Sequence, residues 1–399
     1  MRALLAACVL PLALLPGPSR AGPGPADEPP LAEFSALYTA DALRNVRGGL
    51  REGSAYLDYI ELAGGFDAGR ALGVRDLSLY GSVFRRNQPT FSDRYVGDAL
   101  VVSNIDSANP MEVLEAWLEW GFEARGPGSL RVGMYDLSSE FDVLESRGLF
   151  VNSGYGIGHD LAQTGLNGPS IFPNTALGAR VAWVPGEPWL LKLAVLDGEP
   201  GDPGERGRSR LHLSSSEGAF CIAEAKVGAR HWRAGAGYWR YTAAFPALGT
   251  DDTDAARTRN DNAGGYVMGE FASDAAPGTD EPKWMAFVRA GTAEERINAF
   301  DRFMATGVVR RVAWPRGQGS YLGLAAAQIR VGSAYRAQRA AAGLATEAHE
   351  RNLELTWRVP LGKHVALQPD VQYVHNPGAD PGIADAWVVG LRVELSAVR

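Results

Sequence analysis

The chain has 399 residues, 46 acidic against 39 basic side chains, a formal net charge of −7 and two cysteines. An acidic chain is a poor partner for nucleic acid. No run of 18 apolar residues follows the N-terminal segment, which excludes transmembrane helices.

The N-terminal segment itself reads as a secretory leader. Arg2 precedes an apolar core from Ala3 to Leu15, broken by Pro11, and Ser19 and Ala21 supply small residues before a cut. Leu5-Ala-Ala-Cys8 resembles a lipoprotein box, but the apolar run continues well past Cys8. Loss of residues 1–21 takes Arg2 and Arg20 with it and moves the net charge from −7 to −9. Cys221 is then the only thiol, so neither an internal disulfide nor a multi-thiolate metal site can form. Such an exported chain is either a soluble β-protein or an outer-membrane β-barrel. Residues 22–33, rich in Pro and Gly, are expected to be a periplasmic lead-in, and residues 34–399 a single barrel domain.

From there the chain reads as paired strands. Phe34–Val46, Ala55–Leu62 and Gly73–Phe84 come first, with a helix a live alternative for Phe34–Val46. A polar segment, Arg85–Pro110, precedes the pattern that the rest of the chain repeats. Leu114, Ala116, Leu118, Trp120 and Phe122 alternate with Glu115, Trp117, Glu119 and Gly121. After a Gly-Pro-Gly break, Leu130, Val132 and Met134 alternate with Arg131, Gly133 and Tyr135. Period-2 alternation puts one set on each face of a strand. Leu114, Trp117, Leu118 and Phe122 would also line one side of a helix, and only repetition along the chain decides for a hairpin.

Leu137–Thr175 is the longest stretch without strand signal, and loops of that length are usually functional or disordered. Leu177–Val184 and Trp189–Leu196, Gly218–Ala229 and His231–Thr242, Gly264–Ser273 and Trp284–Gly291, and Thr306–Trp314 and Tyr321–Ile329 follow in pairs. Ala334–Thr346 suggests a short helix in a loop. Asn352–Pro360, Val365–Val374 and Ala386–Leu395 close the chain. The fold class expected is therefore all-β: a transmembrane antiparallel barrel of about 16 strands, with long extracellular loops partly folded into the lumen. Aromatics near strand ends, among them Trp120, Trp183, Trp189, Trp314, Trp357 and Trp387, would form its girdles.

With the oily rows facing lipid, Glu115, Glu119, Arg131, Arg180, Lys192, Arg233, Glu354, Arg358, Arg392 and Glu394 face the lumen. A wall of one sign would select ions. A mixed wall interleaved with Trp117, Tyr135, Trp239 and Tyr241 suits neutral polyols, which offer hydroxyls to charges and a C–H face to rings. Enzymatic motifs are thin: there is no Gly-x-Ser-x-Gly elbow and no His-Glu-x-x-His. His159-Asp160 with a serine would be needed for a hydrolase on a barrel scaffold. Asp251-Asp252 and Asp254 lack the spaced ligands of a calcium loop. No cofactor, metal site or nucleotide motif is expected.

Several short pieces coincide with one family. They are Tyr38-Thr-Ala-Asp41 with Asn45-Val-Arg-Gly-Gly49, Val102-Ser-Asn-Ile-Asp106, Glu115-Ala-Trp117 leading into Arg131-Val-Gly133, and Ser139-Glu-Phe141 with Leu149-Phe-Val-Asn152. Further on stand Phe172-Pro173 with Ala176-Leu-Gly-Ala-Arg180, Leu196-Asp-Gly-Glu-Pro200, and Gln368-Pro-Asp-Val-Gln-Tyr373 with Asn376-Pro-Gly378. In this order, over residues 34 to 395, the chain resembles the OprB-type carbohydrate-selective porins of Gram-negative outer membranes. The resemblance implies passive diffusion of monosaccharides and similar small polar solutes through a constricted lumen. Its implied partners are small carbohydrates, outer-membrane lipid and lipopolysaccharide, and the barrel insertion machinery, with monomer and homo-oligomer both open. It points to Glu140 and Asn152 by motif and to Arg131 and Arg180 by strand register. Trp117, Glu119, Tyr135 and Arg233 complete the expected constriction. Family members usually finish on an aromatic residue, whereas this chain ends Val398-Arg399. A general or anion-preferring porin is the alternative channel.

Overall fold

A computed structural model describes residues 30–87, 90–108, 111–123, 126–201, 217–249, 258–276, 279–314 and 319–398. The leader, most of the lead-in and Asp251–Asp254 lie outside these residues.

The strands are β1 (Ala32–Gly49), β2 (Gly53–Phe66), β3 (Leu77–Arg86), β4 (Met111–Phe122), β5 (Gly128–Tyr135) and β6 (Ala176–Gly186). Then come β7 (Trp189–Asp197), β8 (Ala219–Ala229), β9 (Trp232–Tyr241), β10 (Phe245–Pro246), β11 (Thr258–Arg259) and β12 (Ala263–Ala272). The chain closes with β13 (Trp284–Ala293), β14 (Phe300–Ala313), β15 (Gly319–Val331), β16 (His349–Pro360), β17 (Val365–His375) and β18 (Ala384–Val398). β10 and β11 form a separate hairpin. The other 16 strands close into one antiparallel barrel, each beside its neighbour in sequence, with β18 paired to β1. Closure leaves no edge with unpaired backbone groups, which a lipid environment would penalise by several kcal/mol per group.

The alternating faces separate as expected. Leu118, Trp120, Val132, Val181, Leu193 and Leu355 point outward, while Arg131, Arg180, Lys192 and Glu354 are buried inside. The hairpin that helical spacing left ambiguous is β4–β5, paired from Ala116–Met134 to Phe122–Gly128. Gly133 takes φ 145° there, and a Cβ on it would lie 2.2 Å from the Ala116 carbonyl oxygen. Only glycine lets the two strands approach that closely.

Three expectations are corrected. Gly73 does not begin the third strand: it ends a helix, Ala68–Leu72, in a left-handed conformation, and the strand starts at Leu77. Leu114 does not face lipid. A bulge between Ser82 and Val83, opposite Glu115 and Val113, turns it into the buried interior; one extra residue re-aims a side chain. The twelfth barrel strand, β14, begins at Phe300 rather than Thr306. Its first turns hide Phe303 inside and leave the Arg302 side chain 62% exposed, so hydropathy there runs against the expected alternation.

Most connections at the end where β1 begins and β18 finishes are short turns, residues 67–76 and 273–283 excepted, and most at the other end are longer, residues 50–52 excepted, the asymmetry of periplasmic and extracellular faces. Trp120, Trp189, Trp232 and Trp284 lie outward near the short-turn end, and Trp387 near the opposite end. Indole rings at these levels suit the membrane–water interface.

Candidate functional site

Residues 136–175 do not project from the barrel. They fold into it, and buried charges on the inward faces of strands around the ring hold them there. The first anchor is Glu140. Its carboxylate accepts from Arg180 at 2.7 Å and from the Tyr135 hydroxyl at 2.8 Å, with Arg131 at 3.3 Å. Lys192 donates to its carbonyl. Burial disfavours the charged carboxyl, but Arg131, Arg180 and Lys192 outweigh it and hold Glu140 down to about 2.

The second anchor is Arg289 on β13. It meets the Asp142 carboxylate at 3.0 Å, bonds Asp160, and has no exposed side-chain surface. Arg147 binds Asp142 at 2.8 Å, and Asp142 takes φ 55°, sparsely populated for a non-glycine residue. Burial opposes ionisation of Asp142, yet Arg289 and Arg147 keep it below the usual carboxylate range. At Asp160 burial wins and raises it to about 6. Two glycines make room: a Cβ on Gly158 would lie 2.2 Å from the Arg289 Cζ, and one on Gly291 2.2 Å from an Asp160 oxygen.

Further round the ring, Glu224 on β8 accepts from the Asp142 amide at 2.8 Å, and Glu270 on β12 from the Ser146 amide at 2.7 Å. Glu354 on β16 accepts from the amides of Val151 at 2.7 Å and Asn152 at 2.9 Å. Gln368 on β17 donates to the Leu149 carbonyl at 2.6 Å. Charged acceptors on backbone amides are about twice as strong as neutral ones. A second inward segment joins them. Asp41 binds Arg392 at 2.7 Å and the Ser103 hydroxyl at 2.6 Å, while Glu350 accepts from the amides of Ala99 and Leu100 at 2.8 and 2.7 Å.

The residues expected from sequence divide into three groups. Trp117, Glu119, Arg131, Tyr135, Glu140 and Arg180 form one network. Within it Glu119 lies 2.9 Å from Arg131 and 2.5 Å from Arg180, and the Arg131 guanidinium sits 3.7 Å from the Trp117 ring centroid. Asn152 lies against the far wall, donating to Gln372 at 3.0 Å and accepting from the Gly154 amide at 2.8 Å. Arg233 stands apart near the short-turn end, with Glu145 at 3.1 Å and Glu270 at 3.5 Å. Asp142, Arg289 and Glu270 escaped sequence reasoning, and Asp160 was weighed only as part of a hydrolase site. The inward register of Arg289 on β13 was the one signal that could have found it.

Between the loop and the wall formed by β1 to β4 lies a cavity of about 720 Å³. Tyr59, Glu61, Tyr80 and Glu115 line the barrel side, and Phe172 the loop side, with Asp136 where the loop leaves the wall. Tyr59 and Phe172 meet edge-on with ring centroids 5.7 Å apart. None of the eight residues expected at the constriction lines this cavity. The arrangement offers carboxylates, hydroxyls and aromatic faces to a solute, in a space of the usual size for small-molecule sites. Among the described residues no group of three or more metal-ligating side chains occurs.

A family model described as the carbohydrate-selective porin, OprB family, matches residues 51–396. The high-pH structure of Pseudomonas putida OprB superposes with a TM-score of 0.82 at 18% identity, covering 92% of this chain and 94% of that one. Its low-pH structure gives 0.58 at 14% identity, with 92% of each chain covered. The outer-membrane channel DcaP of Acinetobacter baumannii gives 0.54 at 12% identity, over 92% of this chain and 97% of that one. Curated protein sequences give no match.

Proposed function

The chain belongs to the OprB family of carbohydrate-selective porins, and from that premise we propose that small sugars cross its barrel through the cavity between the β1–β4 wall and the folded-in loop. As a member it is an outer-membrane channel for small carbohydrates, and its fold is that of a porin rather than of an enzyme. The observation that carries the proposed route is the tethering of residues 136–175 across a closed barrel by buried ion pairs. That tethering leaves one side of the lumen open as the cavity.

In this reading Glu119, Arg131, Tyr135, Glu140 and Arg180 fix the loop on one side and Asn152 on the other. Trp117 braces Arg131, and Arg233 steadies the segment at Glu145. These eight residues set the width of the constriction by positioning, while Tyr59, Tyr80 and Phe172 present rings to the sugar. Transport is passive, and the solute exchanges water for charges and rings. Residues 1–21 act as a cleaved leader and 22–33 as a periplasmic lead-in, with assembly by the barrel insertion machinery. N-terminal sequencing of protein extracted from outer membranes should begin at Gly22.

The test is conductance in a planar bilayer under sugar titration. Glucose should reduce ion current in a saturable manner. A current indifferent to sugar would replace this reading with a general diffusion pore.

A further inference from the structure

The charges facing the cavity do not balance locally. Of its acidic lining, Asp142 is paired with Arg147 and Arg289, and Glu394 with Arg358 at 2.8 Å. Arg392, on the same lining, is taken by Asp41 at 2.7 Å. Asp106 accepts from the amides of Phe91 and Ser92 with one oxygen and feels the positive charge of Arg86. That leaves Glu61, Glu115 and Asp136. None of the three forms an ion pair among the described residues.

Their hydrogen-bond donors are neutral. Glu61 accepts from the Tyr59 hydroxyl at 2.7 Å, Glu115 from the Asp136 amide at 3.2 Å, and Asp136 from the amide and hydroxyl of Ser138 at 2.8 and 2.7 Å. The basic group acting on Glu115 is Arg131, which Glu119 and Glu140 already hold. The Ser82 hydroxyl supplies an independent sign of a missing partner. It is 2% exposed, sits in ladder register with Glu115 and beside Glu61 and Tyr80, and makes no hydrogen bond of ordinary geometry among the described residues. Burial pushes Asp136 up to about 6, as expected of a carboxylate short of positive charge. Beside the three carboxylates stand the rings of Tyr59 and Tyr80, whose negative faces also attract cations.

We propose that this wall makes the channel prefer polyols carrying a protonated amine, amino sugars in chemical terms, over uronic acids and sugar phosphates. The inference rests on the sugar-channel reading and adds charge selection to it. The ammonium would sit among Glu61, Glu115 and Asp136, with the Ser82 hydroxyl behind them and the C–H face of the ring against Tyr59 and Tyr80. An anionic sugar meets the same carboxylates without a counter-charge and with little water to screen it.

The experiment uses the full protein in a planar bilayer at neutral pH. A potassium chloride gradient should give a reversal potential of the sign for potassium. At matched ionic strength, glucosamine hydrochloride should block the current at a concentration roughly five- to tenfold below that for glucose, and sodium glucuronate should block least. In the E61Q, E115Q and D136N combination the three sugars should converge, with wild-type gel mobility reporting an intact barrel. If that combination does not fold, E61Q alone should narrow the spread. A wild-type channel that glucose blocks, but that prefers chloride or is blocked equally by glucuronate and glucosamine, overturns charge selection and leaves the sugar channel standing. A protein that conducts no ions at all would overturn both.

Discussion

Removing Arg289 is the sharpest test of how the loop is held. In R289M, Asp142 keeps Arg147 at 2.8 Å, but Asp160 loses the only ion pair it has among the described residues, and both side chains are fully buried. Breaking a buried pair by deleting one partner costs about 3–5 kcal/mol. That cost falls on the docked loop, since the barrel's ladder bonds are untouched. The ratio of docked to undocked loop should fall by roughly a hundredfold to several thousandfold at pH 7. Lowering the pH to 5 should recover part of the loss, because Asp160 titrates at about 6 even beside Arg289 and is neutralised more readily without it. The assays are liposome swelling with a trisaccharide against glucose, and limited proteolysis within residues 136–175. R289M should admit the trisaccharide and be cut faster, with barrel heat stability unchanged. Wild-type exclusion and protease resistance at pH 7 would refute the account of the anchor, and so would a defect independent of pH.

Other outcomes follow from the same geometry. G291A places a methyl against Asp160 and should loosen the loop as R289M does but less, read by the same protease digestion. V132R puts a charge on the outward face of β5 and should cost about 2–4 kcal/mol at the bilayer midplane, measured by urea unfolding from lipid vesicles. Glu140 has a folded-state value depressed to about 2, so its contribution is complete above the ordinary value of 4.5 and is lost as pH falls through 2. Protease resistance near Glu140 should therefore be full at pH 5, decline through pH 3 and be gone below 2, and in E140Q it should already be weakened at neutral pH.

The sequence by itself determined where the chain crosses the membrane and which side of each strand meets lipid. Alternation is a local property: Leu118, Trp120 and Val132 declare their face within a few residues, and the barrel is those faces repeated until the sheet closes. It misled where local hydropathy stopped reporting the environment, at the bulge that turns Leu114 inward and at the start of β14, where Phe303 packs under the loop. The inward charges were legible as lumen-facing, but their partners were not. Glu354 and Asn152 are 202 residues apart, Arg289 and Asp142 147. A charge facing a lumen looks the same in sequence whether it meets water, solute or a loop. Tertiary structure alone decided that Glu140 and Arg131 are spent on each other while Glu61, Glu115 and Asp136 face the cavity without an ion-pair partner. Pairing of buried charges depends on distances set by ring closure, and strand periodicity carries no information about those.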